Sequence, residues 1–487
     1  MLFNSYIFIL LFLPLAVIGY FVFESKWNHC AAKIFLLMMS LWFYGYFSVP
    51  YLLLFAVSLI VNYMFNCFVA KADGNNKKVF FGLGMGFNLG LLFVFKYYDF
   101  FAENINHLFQ ADWVLLRLML PLGISFFTFQ QLSYLIDIYW QEADLYPFLD
   151  FAVYITFFPQ LVAGPIVLHD EFIPQLNERK NRRLCPENME KGLMAFTIGL
   201  AKKVLVADSI GFIVNWSYSN IAGLSGLDVV ITMISYTLQI YYDFSGYSDM
   251  ASGIARMFNI TLPMNFDSPY KADNIVDFWK RWHMTLTRFF SRYVYIPLGG
   301  NRKGKIRTYL NILTVFFVSG LWHGANWTFI IWGGCHGIAN IFYRAASKYL
   351  SKIPGLLRWI GNFVFINLMW MLFRSDSVGQ ALAMIKQLFR GTFWRLSEEM
   401  VSSGGQLGYK IIYKILQFAG NMGKAASAVY VFLLLAGALL VCLRLENVQR
   451  RLEHYRMTWI QAFGLAALLL YTVLSLTVQS TFLYFNF

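Results

Sequence analysis

Runs of about 20 apolar residues recur along the whole chain, each long enough to cross roughly 30 Å of hydrocarbon as a helix. They constrain the fold more than any other feature. The first, SYIFILLFLPLAVIGYFVF (residues 5–23), has no basic residue before it and no small-residue cleavage site after it. It is expected to stay as a transmembrane helix rather than leave as a signal peptide. Of the 487 residues, 58% are hydrophobic, 19% aromatic and only 13% charged. With a mean hydropathy of +0.54, that balance excludes an ordinary soluble domain. No long polar block separates the runs, so a single all-α polytopic membrane domain of about ten to twelve spanning helices is expected.

The net charge of +13 would suggest nucleic acid in a soluble protein. Here the lysines and arginines concentrate in short loops between apolar runs, as cytoplasmic loops do. Lys26, Lys33, Lys71, Lys77 and Lys78 follow early runs, which places the amino terminus outside and predicts no nucleic-acid partner. The next strongly basic loop, NERKNRRLCPENMEK, follows two apolar segments, 116–138 and 150–168, one crossing too many if both span. The first is the expected re-entrant one, because Pro121 and Gly123 break it and Gln130 and Gln131 add polar content. Broken backbone at membrane depth needs protein or a wet cavity around it.

Three regions follow: amino-terminal spans over 1–115, a motif-bearing core over 116–345, and carboxy-terminal spans over 346–487. Further spans are predicted near 194–215, 226–246, 308–326, 328–345, 355–373, 428–445 and 458–480. Residues 262–307 carry nine Lys or Arg and few aliphatic runs, so short cytoplasmic helices on the membrane face are expected there. A second interfacial helix is predicted near 378–395, with Val378, Leu382, Ile385 and Phe389 on one face opposite Lys386 and Arg390.

Of seven histidines, His283, His323 and His336 sit in aromatic, membrane-associated context. An ionisable group there costs several kcal/mol without a partner or cavity, so each is a candidate functional group. In SGLWHGANW (319–327), Gly320 and Gly324 flank His323 and leave one helix side bare, open to another backbone or to a substrate. Asn326 is placed to orient a polar group, while Trp322 and Trp327 could wall a pocket. His323 and His336 are thirteen residues apart, about 20 Å on one helix, and the cysteines at 30, 67, 185, 335 and 442 lack ligand spacing, so no metal is expected. Neutral imidazole suits acid–base catalysis.

In DFWKRWHMTLTRFF, His283 stands beside Trp282, Lys280, Arg281 and Arg288, a set that could hold a phosphorylated, adenine-bearing donor by charge and stacking. Binding to anionic lipid fits the same composition. Asp243 and Asp249 end an apolar run and are expected to be paired, for example with Arg256. No G-x-S-x-G nucleophile elbow is present.

The segments FFPQLVAGPI (157–166), QIYYDFSGYSDMASGIARMF (239–258), NFDSPYKADNIVDFWKRWHMTLT (265–287), YIPLGGNRKG (295–304), SGLWHGANWTFIIWGGCHG (319–337) and FLYFNF (482–487) resemble, in order, those of membrane-bound O-acyltransferases, and of the bacterial alginate O-acetyltransferase branch in particular. Ser319 and Arg292 depart from that pattern. The resemblance implies a helical bundle around a funnel or tunnel in a bacterial inner membrane. It also implies transfer of an acetyl group from a cytoplasmic thioester such as acetyl-CoA to an extracytoplasmic polysaccharide, through a serine-hydrolase-like partner. D-alanyl transfer to teichoic acid is a related alternative; a transporter or a non-catalytic scaffold for acyl groups uses the same cavity without chemistry. The family's near-universal histidine falls on His323 and its second on His283. In this reading His323 is the base, His283 orients the donor or relays a proton with Asp277, and Arg302 and Lys303 join the residues meeting the donor's phosphates.

Overall fold

The computed structural model describes residues 1–390, 396–400, 423–454, 457–476 and 481–483. Residues 391–395 of the expected interfacial helix and 484–487 of the terminal motif lie outside the described residues. All regular structure among the described residues is helical, as the hydropathy pattern requires. By length and apolarity, Phe8–Lys26 (α1), Val49–Lys71, Gly74–Phe109 and Gly355–Arg374 are able to cross a membrane, and the bent pair Ala428–Arg444 and Val448–His454 would add a fifth span. Other long helices, Gly226–Met257, Gly304–His323 and Trp327–Leu350, carry more polar side chains, because they hold the motifs.

The chain forms two compact units that alternate along the sequence. One comprises Met1–Phe196, Met250–Met264 and Arg288–Ile296; the other comprises Thr197–Asp249, Asn265–Thr287 and Pro297–Phe487. In the first, α1 pairs with α2 (His29–Gly45), and α3 (Val49–Lys71) pairs with α4 (Gly74–Phe109). Ile124–Trp140 (α5) follows a turn in which Gly123 has φ +69°. Residues Ile124 to Ile138 are all buried, so α5 is sheathed in protein. Gln131 Oε1 accepts from Asn62 Nδ2 at 2.7 Å and Ser58 Oγ at 3.1 Å, while Gln131 Nε2 and Gln130 Oε1 are buried without a hydrogen-bond partner among the described residues. The break expected in 116–138 is present, since the helix starts only at Ile124 after Pro121 and Gly123, and the next apolar segment is broken as well. That segment divides into Phe148–Thr156 (α6) and the four-residue Phe158–Leu161 (α7), because Phe157 leaves helical geometry and Pro159 has no N–H with which to continue the preceding helix.

Arg292 also has an internal role in this unit. Asp137 is fully buried and accepts from Arg292 at 3.2 Å, Tyr293 Oη at 2.8 Å and His169 Nε2 at 3.1 Å. Arg292 reaches Glu142 at 2.8 Å as well. The residue that departs from the family pattern is thus held among carboxylates of its own chain.

In the second unit, residues 265–287 fold into the short helices Ile275–Arg281 and, at their end, the start of Met284–Phe290. These are the short elements expected of the basic stretch, but Phe278, Trp279, Trp282 and His283 are buried in protein. Val378–Phe389 is helical, but it buries Ala381 and Met384, whereas Leu382 and Phe389 of the expected apolar face stay exposed. Asp243 and Asp249 are paired, with lysines rather than Arg256. Lys203 Nζ lies 2.5 Å from Asp243 and Lys202 Nζ 2.6 Å from Asp249, whereas Arg256 bonds Thr261. Both lysines start the π-helical turn Lys202–Ala207, so each reaches across to one of two carboxylates six residues apart.

Candidate active site

The site in the second unit is built on a tight hairpin of Gly304–His323 and Trp327–Leu350. His323 is the last residue of the first helix. Gly324 is extended, and Asn326 caps the second helix by accepting from Thr328 N at 3.0 Å while its Nδ2 donates to Asp376 O at 2.9 Å. Asn326 therefore shapes the turn. The glycines permit the helices to touch: a Cβ on Gly320 would collide with the Phe329 carbonyl oxygen, and one on Gly333 with that of Phe316. The bare side beside His323 is filled by backbone, and Gly324 lies under the Phe329 ring. Gly333→Ala is expected to destabilise the protein by about 1–3 kcal/mol, the usual cost of overpacking. A lower melting temperature in detergent, set beside an unchanged Gly361→Ala control where a Cβ meets nothing, would check it.

His323 is 4% exposed. Its ring meets Trp322 at 5.0 Å, Trp332 edge-on at 5.1 Å and Phe373 at 5.2 Å between centroids. The His283 ring lies 5.9 Å from Trp322, so this indole contacts both imidazoles. Trp327 is half exposed, and Trp332 takes the walling position expected of it. Phe244 meets His283 edge-on at 4.9 Å.

His283 stands between two short helices with φ +47°, a left-handed conformation costing a residue with a side chain about 1–3 kcal/mol. The surrounding structure holds it there: Asn265 O accepts from Met284 N at 2.9 Å, and His283 O accepts from Thr287 N at 3.0 Å. Its Nδ1 lies 3.1 Å from Asn265 Oδ1, which also accepts from Thr285 Oγ1 at 2.9 Å. Burial pushes the His283 imidazole down to about 3, because a charged ring loses its hydration there. At neutral pH it carries no charge.

Of the other residues singled out in the sequence, Asp277 is joined to Arg281 Nε at 2.9 Å and capped by Asn274; the hydrogen-bond partner of His283 is Asn265. Trp282 is buried among Phe266, Phe278 and Trp370, so its faces are already covered by rings. Arg281 turns to Asp277 and Asp267, while Lys280 is exposed. Arg302 and Lys303 are exposed just before the helix that ends in His323. Twenty residues of helix separate them from the imidazole by about 30 Å.

His336 joins the site through Trp279, whose Nε1 donates to His336 Nδ1 at 3.2 Å, and through Trp332 at 4.7 Å. An indole N–H only donates, so Nδ1 is the lone-pair nitrogen of His336 and Nε2 carries its proton. Sequence reasoning missed Asn265, Thr285, Trp279 and Trp332. Asn265 opens a family-like segment, but nothing in its spacing points to a histidine 18 residues on. Among the described residues no group of three or more His, Cys, Asp or Glu could hold a metal.

Fold and site together define a class of helical membrane protein that holds buried imidazoles within a wall of aromatic rings. The comparisons name it. The family model for membrane-bound O-acyltransferases matches residues 141–377. The peptidoglycan O-acetyltransferase of Helicobacter pylori is 38% identical over all of this chain and 98% of its own. A probable alginate O-acetylase of Pseudomonas aeruginosa is 33% identical over 86% of this chain and 81% of its own. The teichoic acid D-alanyltransferase of Bacillus subtilis is 26% identical over 48% of this chain and 62% of its own. The chain belongs to the membrane-bound O-acyltransferase family, in its alginate O-acetylase-like branch, and is an acyltransferase.

Proposed function

We propose that the protein moves an acetyl group from a cytoplasmic thioester, acetyl-CoA or a similar acyl donor, for O-acetylation of an extracytoplasmic cell-surface polysaccharide. The observation that carries this reading is the pair of buried imidazoles, His323 and His283, meeting at Trp322. His323 takes the proton of the acceptor hydroxyl as its oxygen attacks the thioester carbonyl carbon. The carbon–sulfur bond breaks, and the thiolate takes up a proton, so ester and free thiol are the products. A neutral base in an apolar wall suits this, since general-base assistance contributes about 10²–10⁴-fold. The immediate acceptor is a hydroxyl of an extracytoplasmic, serine-hydrolase-like partner that passes the acetyl group to the glycan, in keeping with the missing nucleophile elbow. Exposed Lys280, Arg302 and Lys303 meet the donor's phosphates at the cytoplasmic face, and the amino terminus lies outside the inner membrane.

Full-length identity of 38% to a peptidoglycan O-acetyltransferase, against 33% over 86% of this chain for an alginate relative, favours peptidoglycan as the final acceptor. Feeding acetyl-labelled acetyl-CoA to membranes containing the protein and its glycan tests the assignment. Base-labile label on muramyl residues, absent without the protein, is expected. Label entering only from a D-alanyl carrier protein, or none entering at all, would overturn it.

A further inference from the structure

We infer that Asn265 is the positioning residue that sets the tautomer of His283, holding the ring proton on Nδ1 and presenting Nε2 as the lone pair. The backbone N–H of Thr285 can only donate and lies 3.4 Å from Asn265 Oδ1, with the Thr285 hydroxyl 2.9 Å from the same atom. Turning the amide over would set an NH2 group against that N–H, so the oxygen belongs where it stands. The other end of the amide agrees, with Nδ2 reaching Ser248 Oγ at 3.4 Å.

An amide oxygen has no proton to give. The contact of 3.1 Å to His283 Nδ1 therefore requires the proton on Nδ1, and the neutral ring keeps its lone pair on Nε2. Asn265, Thr285 and His283 are only 1–2% exposed. Water is a poor substitute partner there, and losing the acceptor would leave a buried donor unpaired. The same logic gives His336 the opposite arrangement, with Trp279 donating to its Nδ1. The two histidines of one aromatic cluster thus differ in the nitrogen they leave basic.

The consequence rests on the acyltransfer reading proposed above: His283 contributes a proton acceptor at Nε2 rather than a cation for the donor's phosphates. The tautomer itself does not depend on that reading, which keeps the two separable. Nitrogen NMR of the full-length protein in nanodiscs, labelled with ¹⁵N in its histidine rings, reads it directly. The His283 and His336 signals are assigned by their loss in His283→Gln and His336→Gln.

The expected spectrum shows His283 protonated at Nδ1 and His336 at Nε2. Asn265→Leu is expected to move the His283 proton to Nε2 or mix the forms, and to lower acetyl transfer by about 10²-fold. Asn265→Asp keeps an acceptor and is expected to restore both the Nδ1–H signal and most of the activity. Asn265→Leu should add no further loss on a His283→Gln background. A wild-type His283 protonated at Nε2, or an unchanged signal in Asn265→Leu, would overturn the assignment. Should the leucine variant fail to accumulate, the wild-type spectrum still decides. Transfer that survives both His283→Gln and His323→Ala, with the tautomer as expected, would defeat the acyltransfer reading alone.

Discussion

Replacing His323 with alanine is expected to lower acetyl transfer by about 10²–10⁴-fold, the range that general-base catalysis supplies, while leaving the protein folded and abundant. The imidazole closes a helix, Gly304–His323, and its packing partners are rings that meet one another: Trp332 with Phe373 at 5.2 Å and with Trp370 at 6.0 Å. Alanine at a helix end keeps the backbone geometry. The cavity it leaves weakens the fold by a few kcal/mol at most. Transfer measured beside detergent size-exclusion profiles separates the two effects. Full activity in a well-folded His323→Ala protein would remove the base from His323, and complementation by that protein would point to a scaffold.

A second large effect is expected at Lys203, away from the imidazoles. Its side chain is only 2% exposed, and Nζ lies 2.5 Å from Asp243, 2.8 Å from Asp208 and 3.2 Å from Thr481 O. Asp243 Oδ2 in turn accepts from Leu483 N at 2.9 Å. Phe482 lies 4.9 Å from the ammonium and edge-on to Tyr247 at 4.5 Å. Residues 481–483 are therefore tied to the interior of their unit through one buried cation. Lys203→Met would leave both carboxylates without their shared cation, and breaking a buried ion pair from one side costs about 3–5 kcal/mol. A clear fall in melting temperature is expected, partly recovered in Lys203→Met/Asp243→Leu because the stranded charge is removed too. An unchanged melting temperature for Lys203→Met would show that the network contributes nothing to stability.

Several features were readable without coordinates because they depend on cost per residue. Apolar runs, a buried histidine among aromatics and carboxylates at the end of a run each carry a hydration penalty that is legible locally. The helix at Val378–Phe389 and the short helices of the basic stretch follow from the same reasoning. The break at Pro121 and Gly123 was legible too, but what surrounds the helix that follows it was not. Gln130 and Gln131 look unaffordable in hydrocarbon, yet α5 is surrounded by protein, where Gln131 Oε1 accepts from Asn62 and Ser58. Whether a polar side chain in an apolar run marks a cavity or a packed helix depends on neighbours 69 and 73 residues away.

The pairings belong to the tertiary structure. Arg256 is the nearer cation in sequence to Asp249, but Lys202, 47 residues away, holds it. Asp277 is the carboxylate closest in sequence to His283, but Asn265 reaches Nδ1, and Trp279 selects the proton on His336 from 57 residues away. The sequence by itself determined that this chain is a helical membrane acyltransferase with a histidine at 323 and another at 283, because hydrophobicity and motif order are properties of the chain as written. Only the tertiary structure decided which nitrogen of each histidine is basic, because a tautomer is set by the one donor or acceptor that folding brings within about 3 Å.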